Sequence, residues 1–259
     1  MSRTPRRAIL LAFGLAAAMV LPSAVSANHS WGGYHWARTA NPFTLKLADN
    51  VNTTWDSYLV TTSSDWSASR VLDTTIVAGT GNPRTCKATT GMVQVCNASY
   101  GYNGWLGLAG ISITGGTHIT KAYVKVNDSY FNSPSYNTPA WRNLVMCQEV
   151  GHTLGLDHQD EVFANANLGT CMDYTNSPDS NQHPNAHDYE QLEQIYAHLD
   201  ATTTVAAVPV AAAAPLPDEA ADAAWGTLVK VTNNGHGAWY VRDLGAGNMT
   251  LTHVLWADR

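Results

Sequence analysis

Four side chains between residues 148 and 158 have the types and spacing of a metal site with an acid–base group beside it. The segment reads Gln-Glu-Val-Gly-His-Thr-Leu-Gly-Leu-Asp-His. On a helix, residues four apart lie on one face, so Gln148 and His152 can point at the same ion. Glu149 lies on the rim of that face, where its carboxylate can take a proton from a metal-activated water and deliver it elsewhere.

Gly155 predicts the end of this helix. It follows His152 by three residues, and glycine tolerates the left-handed backbone conformation of a helix C-terminal cap. The turn lets His158 swing back as a third ligand. Three protein ligands leave the fourth position of a zinc ion open to water, whose pKa then falls to about 7. The spacing therefore predicts zinc bound by Gln148, His152 and His158, with Glu149 as the general base.

The segment differs at one position from the long zinc-protease signature H-E-x-x-H-x-x-G-x-x-H. Downstream, the run Cys-Met-Asp-Tyr at 171–174 resembles the methionine turn of the metzincin metalloproteases, in which Met172 would pack beneath the metal. Tyr174 is similar to the tyrosine of the astacin and serralysin branches, which can ligate zinc and then swing to the transition state. The alternative for Tyr174 is a wall residue of the cleft.

The resemblance to a bacterial, secreted, matrixin-like metzincin covers roughly residues 40–200. It implies an α+β fold with a twisted mixed sheet, an edge strand, the metal helix, the methionine turn and a C-terminal helix. It also implies a zinc-dependent endopeptidase that hydrolyses extended protein or peptide substrates. Trp105–Ile113 would then be the edge strand that pairs with the substrate. The alternative is an ordinary edge strand protected by a loop.

Gln148 occupies the position where the signature has its first histidine. An amide oxygen is a poorer zinc donor than imidazole, and even perturbing a partner behind a ligand typically costs roughly 10–100-fold in metal affinity. Either the site still binds zinc well enough for turnover, or the fold persists as a catalytically inactive binding protein. The presence of Glu149 favours activity, because a buried carboxylate with no metal nearby is costly to keep ionised.

Composition and the N-terminal residues predict an exported chain. Residues 1–27 have a basic start, a mostly apolar stretch from Ile9 to Leu21 and small residues at the end, as in a signal peptide. The apolar stretch is too short for a membrane span. Removing this segment removes three arginines and no acidic residue, so the formal net charge falls from −6 to −9. Such an acidic chain is a poor candidate for nucleic-acid binding, and we expect a monomer that is not membrane-bound.

Four cysteines in an exported chain predict two disulfides among three possible pairings. The short-range pairing is Cys86–Cys96, which leaves Cys147–Cys171. The second bridge would tie the metal helix to the methionine turn, because its cysteines immediately precede Gln148 and Met172. A zinc-binding role for the cysteines is the alternative, although they lack a C-x-x-C spacing.

Alternation and turn signals predict the elements that would position the site. We expect an edge strand over Phe43–Leu47 and a helix between Asn52 and Trp66. Further strands are predicted at Val71–Ala78, Met92–Ala98, Trp105–Ile113 and Ile119–Val126. The metal helix should begin near Pro139, with Thr138 as its cap.

The remaining sequence predicts a closing helix, a linker and a small β module. Residues 184–200 are amphipathic, with Asn185 as a plausible N-cap. Histidines 183, 187 and 198 are interpreted as surface or capping residues. The catalytic domain should therefore span residues 28–200, with an Ala- and Pro-rich linker at 201–224. Residues 225–259 contain three alternating runs, which predict a β meander that docks on the catalytic domain or binds a surface polymer.

Overall fold

A mixed β-sheet with helices packed against one face organises the computed structural model. The structure describes residues 28–206, 225–232 and 235–258. The predicted signal peptide at 1–27 and residues 207–224 of the predicted linker lie outside the described residues. Within the described ranges, no helix has the length and apolar character needed to cross a membrane.

The part of the chain that the structure describes contains nine strands in one sheet, in the order β3-β2-β4-β6-β5-β9-β8-β7, with β1 paired to β6. The pairings among β1, β2, β3, β4 and β6 are parallel, whereas β5, β7, β8 and β9 form antiparallel pairs. The strands are β1 His35–Trp36, β2 Phe43–Asn50, β3 Leu72–Ala78, β4 Met92–Ala98, β5 Trp105–Thr114, β6 His118–Asn127, β7 Thr227–Val231, β8 Gly237–Gly245 and β9 Asn248–Trp256.

The helices in the described ranges follow the local signals of the sequence. They are α1 Asp56–Trp66, α2 Asp128–Phe131, α3 Pro139–Thr153 and α4 Ala186–Ile195, with a 3₁₀ turn at Pro178–Ser180. The Thr138 side chain accepts a hydrogen bond from the backbone N–H of Trp141, as expected for the N-cap of α3. Asn185 and Asp188 form a capping box at the start of α4. Helix α1 begins later than predicted, with Trp55 at its N-cap position.

The main core lies between the sheet and helices α1 and α3. Trp36, Trp55 and Trp66 are fully buried there, together with apolar side chains of β2, β4 and β6. Fully burying such side chains stabilises the fold by roughly 25 cal/mol per Å² of apolar surface removed from water. The indole N–H of Trp66 donates to the backbone oxygen of Cys147, so the core directly supports the third turn of α3.

Two sequence predictions about sheet edges were wrong. Strand β2 was expected at an edge, but it lies between β3 and β4. Strand β5 was expected to offer a free edge to a peptide, but β9 pairs with it from Trp105 to Ile113. The physical reason is that unpaired backbone groups of an edge are satisfied by any strand able to reach them, and the C-terminal meander reaches β5.

The three alternating runs near the C-terminus do form a meander. Strands β7, β8 and β9 pair in succession, and β9 joins the meander to the rest of the sheet. Of the two sequence interpretations, docking on the preceding part of the chain describes this arrangement. Both disulfides expected from the sequence are present, Cys86–Cys96 and Cys147–Cys171. Two disulfides are consistent with an extracellular protein.

Candidate metal centre

The C-terminal end of α3 brings two histidines face to face. Gly155 has φ +98°, and a Cβ added there would lie 2.2 Å from the backbone oxygen of Tyr34. The left-handed turn expected at this glycine is therefore confirmed, and no larger residue fits it. After the turn the chain returns along the helix end, which places Nε2 of His158 3.2 Å from Nε2 of His152.

The hydrogen bond on the other side of His152 determines which nitrogen faces the site. Its Nδ1 lies 2.8 Å from the backbone oxygen of Leu156, which can only accept. Nδ1 therefore carries the proton, and Nε2 presents a lone pair toward His158. Histidines that bind metals are commonly oriented by a hydrogen bond of this kind from the other ring nitrogen. For an ion about 2.0–2.1 Å from both Nε2 atoms, the N–metal–N angle would be about 100°, which is close to the tetrahedral value. The geometry of this pair fits zinc.

Gln148 lies in the same buried region, with its amide held by the methionine turn. Its Nε2 donates to the backbone oxygen of Cys171 at 2.9 Å. Its Oε1 is buried and has no hydrogen-bond partner among the described residues. A buried carbonyl oxygen without a donor is costly, and a cation would satisfy it. Gln148 therefore offers a buried oxygen without a donor, which is the kind of group that the predicted ligand role requires.

A third histidine, His253 of β9, was missed by sequence reasoning. Its Nδ1 lies 3.1 Å from Oε2 of Glu149, and its Nε2 lies 2.9 Å from the hydroxyl of Tyr174. One ligand atom from each of His152, His158 and His253 lies within 4.8 Å of the others. Register carries His253 there, because it pairs with Ala109 of β5. No local motif marks it; the only signal is a histidine inside an otherwise alternating strand.

Glu149 is fully buried beside these imidazoles. Its Oε1 has no hydrogen-bond partner in the described part of the chain. Burial raises the pKa of Glu149 to about 8, although the neighbouring His152 acts in the opposite direction. A cation at the histidines would favour the ionised carboxylate that a general base needs. Strand β5 approaches closely here, since a Cβ at Gly107 would lie 3.0 Å from Oε1 of Glu149.

The histidines are held in the neutral form that binds metal. Burial, reinforced by the nearby His253, lowers the pKa of His152 to about 4. Burial lowers the pKa of His253 to about 3 and that of His158 well below its usual range. Metal binding normally displaces a proton from a charged imidazole. These imidazoles are already neutral at neutral pH, so they can bind a metal ion without releasing a proton.

The run Cys-Met-Asp-Tyr at 171–174 packs against α3. Met172 is fully buried, and its sulfur would lie 2.6 Å from a Cβ built on Gly151 of α3. The bridge between Cys147 and Cys171 joins the helix to this turn. Tyr174 is buried with its ring centroid 4.0 Å from that of His158. Burial raises the pKa of Tyr174 well above its usual range, so its hydroxyl stays protonated.

The C-terminal meander closes this region from solvent. Glu149, His152 and His253 have no exposed surface, and Trp239 of β8 lies 4.8 Å from the His253 ring. Two carboxylates next to His158, those of Asp157 and Glu161, form ion pairs with Lys230 of β7 at 3.4 and 2.5 Å. The meander therefore contributes both a histidine inside the site and an ion-paired lysine at its rim.

No protein-family model matches the chain, and no curated protein matches it either.

Proposed function

We propose that this chain is a secreted zinc-dependent endopeptidase that cleaves extended protein segments. The observation that carries the proposal is the pair of Nε2 atoms of His152 and His158, 3.2 Å apart beside the buried carboxylate of Glu149. The chemistry that zinc would supply there is Lewis acidity, which polarises a carbonyl and acidifies water. Glu149 would take the proton from water and deliver it to the leaving amine.

The third protein ligand is the point on which the active and inactive alternatives differ. Gln148 offers a buried amide oxygen that has no hydrogen-bond partner among the described residues, and His253 offers an imidazole whose two nitrogens contact Glu149 and Tyr174. We infer that, with the meander in place, one nitrogen of His253 exchanges its hydrogen bond for the ion and completes the metal site, and that Gln148 Oε1 is the third ligand when the meander is displaced. Until an ion binds, His253 engages both the base and the tyrosine.

Strand β9 supports the proposed substrate class. It runs antiparallel to β5 over the stretch where the resemblance implies an extended substrate, and one of its side chains enters the metal site. Main-chain pairing of this kind is how peptides add to a sheet edge. The described conformation is thus a closed form, in which the chain's own C-terminal strand occupies the substrate position, and turnover requires β9 to leave β5.

The second candidate is a metal-binding fold without catalysis. It is favoured by the amide at position 148 and by the two hydrogen bonds that link His253 to the groups that would act on substrate. On this alternative the closed form is the permanent state, and the site serves to bind β9 rather than a peptide.

Casein hydrolysis by two forms of the protein separates the candidates. One form is the intact mature chain; the other carries a specific cleavage site between residues 207 and 224, so that the meander can be cut from the catalytic domain. We expect chelator-sensitive hydrolysis that rises at least about tenfold after cutting, and that Glu149→Ala abolishes in both forms. Equal hydrolysis in the presence of chelator, or in Glu149→Ala, would contradict the peptidase assignment. Zinc binding without hydrolysis in the cut form would support the second candidate.

A further inference from the structure

A second cluster of metal-binding side chains lies away from the site described above. His35 belongs to β1, His118 begins β6, and His198 and Asp200 follow α4. Nε2 of His35 lies 3.2 Å from Nε2 of His198. Oδ1 of Asp200 lies 3.5 Å from Nε2 of His35 and 3.6 Å from Nε2 of His198.

These three atoms form a triangle of the right size for a transition-metal ion. A point near its centre lies about 2.0 Å from all three atoms, which matches zinc–nitrogen and zinc–oxygen bond lengths of roughly 2.0–2.2 Å. Two imidazoles and a carboxylate also form a donor set that suits zinc and its neighbours in the first transition row.

The hydrogen bond of His35 turns a lone pair of its ring toward the cluster. Its Nδ1 lies 2.9 Å from the backbone oxygen of Gly33, so Nδ1 carries the proton and Nε2 of the neutral ring presents a lone pair. That lone pair faces a carboxylate oxygen of Asp200 and a nitrogen of His198. Lone pairs that converge in this way repel unless a positive charge, either a proton or a metal ion, lies between them.

The groups around the triangle hold the carboxylate in place. Oδ2 of Asp200 accepts hydrogen bonds from the Nη1 and the backbone N–H of Arg38, at 2.8 and 3.2 Å. Nε2 of His118 lies 3.2 Å from Oδ1, where it can donate to the same oxygen. Both are the kind of outer-sphere partner that orients a ligating carboxylate. His35 is almost fully buried, whereas the His198 side chain is 55 % exposed, so an ion can enter from solvent.

We propose that His35, His198 and Asp200 bind a divalent transition-metal ion, with zinc as the best fit, and that His118 supports the site. The bound ion would join the N-terminal strand β1 to the segment that follows α4. Because only the folded chain brings these residues together, binding stabilises the fold by mass action. This ion would be distinct from one at His152 and His158, and the proposal stands independently of peptidase activity.

Zinc stoichiometry in a matched pair of variants tests the proposal. His198→Gln removes a ligand from an exposed position, and His183→Gln is the control, because the His183 side chain is 56 % exposed and ion-pairs with Asp65 outside the cluster. Metal-free protein would be titrated with Zn²⁺ alone, and bound zinc measured by elemental analysis after desalting. We expect two equivalents for the wild type and for His183→Gln, and one for His198→Gln.

Thermal unfolding provides a second readout. Zinc at about 100 times its Kd should raise the Tm of the apo-protein by roughly 5–10 °C through this site, and His198→Gln should lose that increment while its metal-free Tm stays unchanged. Equal zinc content and equal Tm shifts in His198→Gln and the wild type would overturn the proposal. One equivalent in the wild type and none in His198→Gln would support this site while contradicting the one at His152 and His158.

Discussion

Replacing His253 by alanine should weaken zinc binding and destabilise the closed form together. The substitution leaves the Glu149 carboxylate and the Tyr174 hydroxyl, both buried, without the partners they have at 3.1 and 2.9 Å. Each orphaned group costs about 1–3 kcal/mol, and water that enters the vacated space recovers part of this. A net loss of about 3 kcal/mol corresponds to a fall in Tm of roughly 6–12 °C for a domain of this size.

The zinc affinity of His253→Ala shows whether His253 is a metal ligand or a plug, that is, a side chain that only fills the site and hydrogen-bonds to Glu149 and Tyr174. If His253 completes the metal site, its loss should raise the Kd for zinc at least about 100-fold, because disturbing even an outer partner typically costs 10–100-fold. His236→Ala is the matched control: His236 lies on the same meander but stacks on Phe163 and ion-pairs with Asp258. We expect that control to retain wild-type zinc affinity.

A second substitution, this one at position 148, tests whether a lost imidazole ligand can be replaced. Gln148→His in the His253→Ala background restores three imidazoles, so zinc affinity should recover most of the loss. Competition against a chromophoric chelator measures both constants. Wild-type zinc affinity in His253→Ala, despite a lowered Tm, would refute the ligand role and leave His253 as a plug. A further decrease on adding Gln148→His would show that the pocket is built around the amide.

Three further variants test the frame that holds the site. Gly155→Ala forces a Cβ into the left-handed turn and against the Tyr34 backbone oxygen, so we expect a loss of about 1–3 kcal/mol in urea unfolding and a loss of zinc binding; an unchanged midpoint would contradict the turn assignment. Asn185→Ala removes the α4 N-cap and should cost about 1 kcal/mol with zinc affinity intact, which separates helix stability from the metal site. Cys147→Ser with Cys171→Ser opens a bridge spanning 24 residues and should cost roughly 3 kcal/mol, measured by the same unfolding experiment.

The elements with local signals were predictable from the sequence. Pro139 and Thr138 define the start of α3 through chemistry confined to one turn, and Gly155 defines its end in the same way. The alternating strands were found because side chains of a half-buried strand alternate between environments. The bridge between Cys171 and α3 followed from the short-range pairing of the other two cysteines.

The errors and omissions all involve contacts between distant segments. His253 contacts Glu149 across 104 residues, and alternation alone does not tell which strand β9 pairs with or in which register. A shift of one residue along β5 would have turned His253 to the other face of the sheet. The second histidine cluster escaped for the same reason, because its members come from β1, β6 and the segment after α4.

Because β9 pairs with β5, the edge of the sheet lies at β7 instead of β5. With the meander in place, the outermost strand at this end of the sheet is β7, which is only five residues long and carries Lys230 as its fourth residue. Short strands with a charged residue are how proteins protect an edge from pairing with another molecule. If the meander leaves, the ten residues of β5 become the outermost strand instead. A chain opened without another strand to replace β9 would then self-associate at high concentration, so in the proposed peptidase opening and substrate capture must occur together for the protein to stay dispersed.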